Sequence, residues 1–238
     1  MCGRYSNSRT NPQAIAARFE IKISDATAET ALGRTNIAPT QSVLAVVNGE
    51  NGEREAILAR FGLAPAWAKL RGGPSLINTR DDKLASSGAW KPLVKTAAHR
   101  ALIVADGYFE WQKAEDPKQP KQPKQPFYHR LPGGELFAFA GLWTTATPKD
   151  AEEPVTSCSI ITTAANRDVR FVHDRMPVIL DGPQAEAAWL DPSVDLDGAL
   201  ELVRPLPDGH LEVYAVSPRV NNVRNQDADL TEPLTASA

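Results

Sequence analysis

Apolar residues recur along the chain at two different spacings, and each spacing predicts its own kind of element. Ile15 and Phe19 lie four residues apart in the stretch 11–20, so they share one face of a helix. Asn11 is suited to cap the start of that helix, and Pro12 fits its first turn, where a missing amide hydrogen does no harm. Helices are also predicted over residues 81–90 and 183–190.

The other apolar runs are short and separated by turn signals, which predicts strands. Asn48-Gly49 closes one run and begins a hairpin loop. The predicted strands cover residues 43–47, 55–61, 76–80, 100–104, 127–130, 136–141, 157–163, 178–180 and 213–217. We expect an α+β fold with mainly antiparallel sheets curled into a barrel-like core and a few short flanking helices. One domain should cover residues 1–230, followed by a loose C-terminal tail at 231–238.

Composition narrows the class of protein. The 238 residues are 42% hydrophobic and 23% charged, which is ordinary for a soluble globular protein with a sizeable core. A net charge of -3 argues against a uniformly basic nucleic-acid binder, but it is compatible with a local basic groove. We see no signal sequence and no membrane-spanning stretch, so we expect no membrane partner.

The chain has two cysteines, Cys2 and Cys158. Two are too few for a disulfide scaffold and show no zinc-finger spacing, so neither a metal nor another cofactor is expected. Cys158 lies in an apolar run and is most simply a buried small hydrophobic residue. Such cysteine usage fits a reducing cytoplasm.

Cys2 directly follows Met1, and cysteine is small enough that removal of the methionine is expected. The mature chain would then carry an α-amine and a thiol on one residue. An α-amine has a pKa of about 8, so a useful fraction of the amine is unprotonated and nucleophilic at neutral pH. Such a terminus can form an imine with an aldehyde and then close through sulfur to a thiazolidine. The alternative is that Cys2 is incidental to a frayed terminus.

Two further residues carry groups suited to proton transfer. Glu110 lies between Phe109 and Trp111, and a carboxylate in a partly apolar wall has its pKa raised, which suits an acid and base. A salt-bridged glutamate at a strand end is the alternative. His173 lies in a predicted turn, where a histidine is either a proton shuttle or a plain surface residue.

Asn78 and Arg80 form the third candidate set. In an extended segment these residues lie on one side, by the period of two. An amide and a guanidinium together suit a phosphate or a sugar oxygen. Because Asp81 and Asp82 are adjacent, a structural ion pair with Arg80 is the alternative.

Six short motifs follow one another along nearly the whole chain. They are Met1-Cys2-Gly3-Arg4-Tyr5, Asn36-Ile37-Ala38-Pro39-Thr40, Phe61-Gly62-Leu63-Ala64-Pro65-Ala66-Trp67, Ile77-Asn78-Thr79-Arg80, Ala105-Asp106-Gly107-Tyr108-Phe109-Glu110-Trp111 and Val172-His173-Asp174-Arg175-Met176-Pro177. Val216-Ser217 followed by Val220-Asn221 closes the series. In this order they resemble the SRAP (SOS response-associated peptidase) family, abasic-site processing proteins that shield single-stranded DNA by covalent crosslinking.

The resemblance implies a role for each candidate. Mature Cys2 would be the crosslinking nucleophile, whose amine attacks the C1′ aldehyde of an abasic sugar and whose thiolate closes a thiazolidine. Glu110 would be the acid and base, His173 would assist the sugar and the reversal of the crosslink, and Asn78 would orient the N-terminal residue. The implied DNA-binding residues are Arg4 and Arg80 for phosphates, with Trp67 and the loop from Asn36 to Pro39 for bases. Lyase chemistry through the same imine and self-removal of Met1 are also implied.

The chain departs from the family pattern in three places. Asp82 replaces a usual glutamate, and Ala68 stands where a second tryptophan is often found. Three Lys-Gln-Pro copies at 118–126 lengthen a loop, which we interpret as an expanded hairpin loop rather than a partner-binding segment. These departures do not touch the four implied catalytic residues.

Two other classes of protein stay open at this point. In an N-terminal-nucleophile hydrolase or cysteine peptidase, Cys2 would attack an amide with its own amine as base. In a non-catalytic single-strand-binding module, Arg4, Arg80 and Trp67 would bind DNA and Cys2 would be idle. The leading hypothesis is an abasic-site DNA crosslinking enzyme. We expect it to be a cytoplasmic monomer that is associated with the nucleoid when bound to single-stranded DNA containing abasic sites.

Overall fold

A computed structural model describes residues 2–8, 11–49, 51–72, 76–112 and 124–234 of the chain. The helices are α1 (Pro12–Phe19), α2 (Asp25–Ala31), α3 (Asp81–Leu84), α4 (Lys91–Lys95), α5 (Gly182–Leu190) and α6 (Leu196–Glu201). The strands are β1 (Arg4–Ser6), β2 (Ser42–Asn48), β3 (Arg54–Phe61), β4 (Asn78–Arg80), β5 (Arg100–Ala105), β6 (Gly107–Trp111), β7 (Pro126–Arg130), β8 (Phe137–Ala146), β9 (Val155–Ala164), β10 (Arg175–Pro177) and β11 (Glu212–Ala215).

Five strands close into a barrel. They pair in the order β9-β3-β2-β5-β8, and β8 pairs back to β9. These pairings are antiparallel except for β3 with β9, which is parallel. A second, antiparallel sheet has the order β1-β6-β7-β11. The predicted α+β class with a barrel-like core and a few helices is therefore confirmed.

Both faces of β2 and β5 are buried along nearly their whole length, which explains why these two strands read as apolar runs. On β2, Leu44 and Val46 belong to a cluster with the helical residues Phe19 and Trp189, so these residues face outward, under the helices. The alternate residues of the same strands form a second cluster, which is the barrel interior. That interior cluster also includes Cys2, Tyr5 and Tyr108 from the N-terminal segment and the small sheet. The N-terminus is thus anchored in the core.

Strand β9 connects the elements that carry the candidate site residues. Its residue Thr162 pairs with Arg80 of β4 and with Pro177 of β10. Because a strand residue has one neighbour on each side, β4 and β10 lie on opposite sides of β9. The segments that carry Asn78 and His173 are therefore fixed to one strand from its two sides.

The predicted helix over residues 81–90 is wrong in length. It ends at Leu84, and a separate helix begins at Lys91. The Ser87 hydroxyl accepts a hydrogen bond from the Ala89 amide at 3.2 Å, which offers the backbone an alternative to helical bonding. The predictions over residues 11–20 and 183–190 are confirmed as α1 and α5.

The strand predicted over residues 178–180 is wrong in position, because β10 covers Arg175–Pro177 and ends before that stretch. Val178 donates its amide hydrogen to Ile161 of β9, and its carbonyl accepts from Ala140 of β8. The segment therefore crosses from one strand to the other instead of following either one. Only an isolated bridge, at Ile179, remains in that stretch.

The predicted C-terminal tail starts at Thr231. This residue is buried. The Leu234 amide donates to the carbonyl of Ala215 at 2.9 Å, which ties the segment to β11. Residues 235–238 lie outside the described part of the chain, as do residues 113–123, which include most of the Lys-Gln-Pro repeats. The division into domain and tail stays a prediction.

Among the described residues, no helix combines the length and the apolar character needed to cross a bilayer.

Candidate active site

The pairing of β1 with β6 brings the N-terminus to the candidate acid and base. Tyr5 lies opposite Tyr108, and Arg4 lies opposite Phe109, so the residues before Arg4 run alongside Glu110. Alternation along β6 places Tyr108 in the barrel-interior cluster and Phe109 in a separate cluster on the other face. Glu110 therefore shares the face of Tyr108.

Cys2 is completely buried. Its Sγ makes a long contact of 3.9 Å to the carbonyl of Arg4. Burial raises the pKa of the Cys2 thiol well above its usual range, and the negative charge of Glu110 raises it further. The thiol is therefore protonated at neutral pH while Met1 precedes it, and its proton has to leave during any reaction at sulfur.

Asn78 makes a direct hydrogen bond to Cys2. Its Nδ2 donates to the Cys2 carbonyl oxygen at 2.9 Å. The amide is held in place because β4 pairs with β9, where Asn78 lies opposite Ile160. Within the described residues, the buried Asn78 Oδ1 accepts no hydrogen bond. The side chain thus orients Cys2 with one end and offers an unused acceptor with the other.

Glu110 and Tyr108 line the same site. Glu110 is 8% exposed, and its Oε1 accepts a hydrogen bond from the Trp111 amide at 3.2 Å. The Tyr108 hydroxyl is buried without a hydrogen-bond partner among the described residues. Burial raises the pKa of Tyr108, with further contributions from Cys2 and Glu110, so the phenol is neutral near those groups. The site therefore offers a carboxylate and a hydroxyl donor near one thiol.

His173 lies in the turn before β10, and its ring Nδ1 has two competing partners. The Arg175 amide donates to Nδ1 at 3.0 Å, and the Asp174 carboxylate lies 2.8 Å from the same nitrogen. An Nδ1 without a hydrogen can only accept from the amide, whereas an Nδ1 that carries a hydrogen donates to the carboxylate. The side chain is 17% exposed, so the ring is accessible. This geometry suits a group that gains and loses a proton.

Two sets of contacts fix the His173 turn to the rest of the site. Arg175 donates to Asp81 Oδ1 at 2.9 Å, and Asp81 directly follows the strand of Asn78. On the other side, Phe171 packs edge-on against Phe127, with ring centroids 5.3 Å apart. Phe127 lies opposite Glu110 in the pairing of β6 with β7. His173 is thereby tied to both the Asn78 strand and the Glu110 strand.

Arg4 and Asn36, two predicted DNA-binding residues, brace the protein internally. Arg4 Nη1 donates to Asn36 Oδ1 and to the Val220 carbonyl, each at 2.7 Å, and its guanidinium lies 5.5 Å from the Trp111 ring centroid. Partial burial lowers the pKa of Arg4. Asn36 is fully buried, and its Nδ2 donates to three carbonyls of residues 220–225. A DNA contact by either side chain stays a prediction.

The other predicted DNA-binding residues are peripheral. Trp67 is 47% exposed, and Pro39 is half-buried at the edge of a cleft of about 140 Å³. Arg80 is exposed and makes two bonds of 2.9 Å to the carboxylate of Asp82. The ion pair that the sequence left open for Arg80 is therefore present. Within the described residues, no cluster of three or more metal-ligating side chains occurs.

The overall pattern of the chain matches one protein family. The model of SOS response associated peptidase (SRAP) matches residues 1–223. The chain belongs to the SRAP family. The membership expected from the six motifs is thereby confirmed.

Individual SRAP relatives are similar along most of the chain. It is 38% identical over 200 residues to "Abasic site processing protein YoqW" of Bacillus subtilis (strain 168), covering 83% of this chain and 84% of that one. It is 33% identical over 238 residues to "Abasic site processing protein YedK" of Escherichia coli (strain K12), covering 98% and 100%. A crystal structure of a Bacteroides thetaiotaomicron protein shares the fold, with a TM-score of 0.82 at 20% identity over 98% of this chain and all of that one.

Two departures from the SRAP pattern have a local structural account. Asp82 is the partner of Arg80, so its carboxylate is engaged with that guanidinium. Ala68 is buried and accepts a hydrogen bond from the Lys149 amide at 3.0 Å, so position 68 adds no aromatic surface beside Trp67.

Two contacts of this SRAP site could not be predicted from the sequence. Phe171 and Phe127 were not singled out, although Phe171 stands two residues before His173. Asn221, in the closing motif, accepts a 2.7 Å hydrogen bond from Trp111 Nε1. No spacing in the sequence could reveal these pairs, because their partners lie about 40 and 110 residues away.

Proposed function

We propose that this SRAP protein processes abasic sites in single-stranded DNA and traps them as a covalent thiazolidine through Cys2. The names of its relatives support abasic-site processing. The observation that carries the finer proposal is the hydrogen bond from Asn78 to the Cys2 carbonyl, beside the strand of Glu110. An aminothiol at this position would meet an aldehyde with its backbone already oriented.

The chemistry begins with hydrolysis of the Met1–Cys2 peptide bond, which frees the Cys2 amine. The amine nitrogen adds to C1′ of the ring-opened abasic sugar, and loss of water leaves an imine. The Cys2 sulfur then adds to the imine carbon while its proton passes to nitrogen. One aldehyde and one aminothiol thus give one thiazolidine and one water, without oxidant or reductant.

Glu110 is the group proposed to move these protons. The raised pKa of the Cys2 thiol means that ring closure starts from S–H, so a base is needed nearby. Glu110 is the carboxylate whose charge acts on that thiol. The same side chain can return a proton to the oxygen that leaves as water. Its nearly complete burial keeps bulk solvent from competing for the proton.

His173 and Asn78 have supporting roles in this proposal. Nδ1 of His173 can exchange the Arg175 amide for the Asp174 carboxylate, so the ring can take or give a proton during opening of the sugar and during reversal. The unused Oδ1 of Asn78 can accept a hydrogen bond from the freed amine or from a sugar hydroxyl. The same imine also acidifies the hydrogen at C2′, which is the entry to a lyase side reaction.

The peptidase alternative receives less support. Cysteine peptidases act through a thiolate whose pKa is lowered by a neighbouring cation. In this site, burial and Glu110 both act on the Cys2 thiol in the opposite direction. We therefore propose as the function the covalent capture of an aldehyde, which starts from the Cys2 amine and not from a thiolate.

The first test is intact-mass spectrometry of the purified protein, alone and after mixing with single-stranded DNA that carries one abasic site. We expect a mass without Met1 and a stable adduct of the protein with the DNA. Cys2→Ala should abolish the adduct. Cys158→Ala is the matched control, because Cys158 is the other buried cysteine, and it should keep the adduct.

A second DNA substrate makes the test specific for the aldehyde. A tetrahydrofuran analogue of the abasic site has no aldehyde, so it should bind without forming an adduct. An adduct with this analogue, or one that persists in Cys2→Ala, would rule out the thiazolidine. A retained Met1 in a protein that still crosslinks would rule out the free amine as nucleophile.

A further inference from the structure

Phe171 is an exposed aromatic residue that the proposed chemistry does not use. Its side chain is 51% exposed, the highest value among the large apolar residues in the described part of the chain. Single exposed apolar residues are common and need no function by themselves. Three further features distinguish this one: its support, its position and its charged neighbour.

The Phe171 ring packs against a neighbouring ring although it faces solvent. It packs edge-on against Phe127 at 5.3 Å, with an angle of 87° between the rings. The next residue, Val172, is buried, and its amide donates to the Val169 carbonyl at 2.9 Å within the turn. A ring packed in this way loses little conformational freedom when a flat ligand stacks on it.

The position of Phe171 is at the edge of the proposed active site, away from Trp67. Phe171 precedes His173 by two residues, and its partner Phe127 lies opposite Glu110. Trp67 belongs to the loop that leads into β4, whereas the turn of Phe171 leads into β10. Because β4 and β10 flank β9 on opposite sides, the strands that follow Trp67 and Phe171 in the chain lie on different sides of β9.

A charged residue, Arg170, is the sequence neighbour of Phe171. Arg170 directly precedes Phe171 and is exposed. Arg167, in the same turn, has a side chain that is 79% exposed and lies 3.5 Å from the Asp208 carboxylate. An aromatic face beside an exposed guanidinium is the combination that binds a base and its phosphate in single-stranded nucleic acids.

We infer that Phe171 stacks on the nucleobase next to the abasic sugar and that Arg170 binds a phosphate of the same strand. This inference rests on the proposed function, since it takes abasic DNA as the ligand. The missing base of an abasic site leaves its neighbour without a stacking partner on one side. Phe171 supplies an apolar face for that neighbour, on the His173 side of the site.

The experiment uses the full chain and single-stranded DNA with the tetrahydrofuran analogue, which has no aldehyde and so cannot form the thiazolidine. 2-Aminopurine, whose fluorescence is quenched by stacking, replaces the base on each side of the lesion in turn. Affinity is measured by anisotropy for the wild type, Phe171→Ala, Phe171→Tyr and Arg170→Ala. Leu58→Ala is the matched control, because Leu58 is also exposed but lies on β3.

Phe171→Ala should weaken binding by about 5-fold or more and change the 2-aminopurine signal on one side of the lesion only. Phe171→Tyr, which keeps the aromatic face, should bind like the wild type, and so should Leu58→Ala. Arg170→Ala should reduce the slope of log affinity against log salt by about 0.7. Thermal unfolding of each variant checks that the fold is kept.

Unchanged affinity and unchanged fluorescence in a folded Phe171→Ala would overturn the inference, as would an equal loss in Leu58→Ala. Crosslinking to natural abasic DNA is measured in parallel. A wild type that fails to crosslink while Phe171→Ala still loses affinity would refute the thiazolidine and leave the stacking intact. A wild type that crosslinks while Phe171→Ala binds normally would refute the stacking alone.

Discussion

Mild acid should destabilise this protein through His129, a buried histidine of β7. Its ring stacks on Tyr108 with a centroid distance of 4.4 Å and an angle of 8°. Nδ1 donates to the Tyr108 carbonyl at 3.3 Å, because a carbonyl oxygen can only accept. Burial lowers the pKa of His129 from 6.5 to about 3, although contacts with backbone carbonyls act in the opposite direction. The folded protein therefore keeps this ring neutral.

The sign and size of the effect follow from proton linkage. Below pH 6.5 the unfolded chain binds a proton at His129, whereas the folded chain does not until about pH 3. The contribution to stability is thus fully present above pH 6.5 and is lost as the pH falls through that window. Each pH unit costs about 1.4 kcal/mol, so lowering the pH from 6.5 to 5 removes roughly 2 kcal/mol. That is a large share of a typical stability of about 5–15 kcal/mol.

The assay is urea unfolding at pH 7.5, 6.5 and 5, followed by tryptophan fluorescence and circular dichroism. His129→Phe keeps an aromatic ring against Tyr108 but cannot titrate. Between pH 6.5 and 5 its unfolding free energy should fall by roughly 2 kcal/mol less than that of the wild type. His210→Gln, at an exposed histidine, is the control and should follow the wild type. Parallel losses in the wild type and His129→Phe would refute the reasoning.

Four further changes test the site and its support. Glu110→Gln should slow crosslinking by about 10²- to 10⁴-fold with little change in DNA affinity, and an unchanged rate would remove Glu110 from the mechanism. Asn78→Ala removes the 2.9 Å bond to the Cys2 carbonyl, so crosslinking should fall by about 10-fold or more while the unfolding free energy drops by only about 1 kcal/mol; equal rates would contradict an orienting role. Gly107→Ala places a Cβ 2.1 Å from the buried Tyr128 hydroxyl and should lower the unfolding free energy in urea by about 2 kcal/mol or more, whereas a neutral effect would show that the tyrosine can move. Deletion of residues 118–123 should leave crosslinking intact, because the repeats carry none of the proposed site residues, and a large loss would assign the loop a function.

Local patterns predicted much of the fold because the forces behind them are local. The Asn11 side chain caps α1 by accepting from the Ala14 amide, as the sequence indicated. The hairpin of β2 and β3 follows its turn residues in the same way. The helix over 81–90 was wrong because a serine side chain competes for the backbone there, and propensity alone does not decide such competition. Closure of the barrel depends on β8 pairing with β9, and both runs were predicted as strands.

The candidate site also has some features that can be read from the sequence and others that depend on the fold. The sequence by itself determined which candidate residues carry suitable groups, since a thiol at Cys2, a carboxylate at Glu110 and an imidazole at His173 are properties of the residues. Only the tertiary structure decided that Asn78 donates a hydrogen bond to Cys2, which is 76 positions away, and that Arg4 donates one to the Val220 carbonyl. It also decided that Phe171 packs against Phe127, the residue opposite Glu110. Contacts at such separations depend on how the strands pair, and strand pairing is a property of the whole chain.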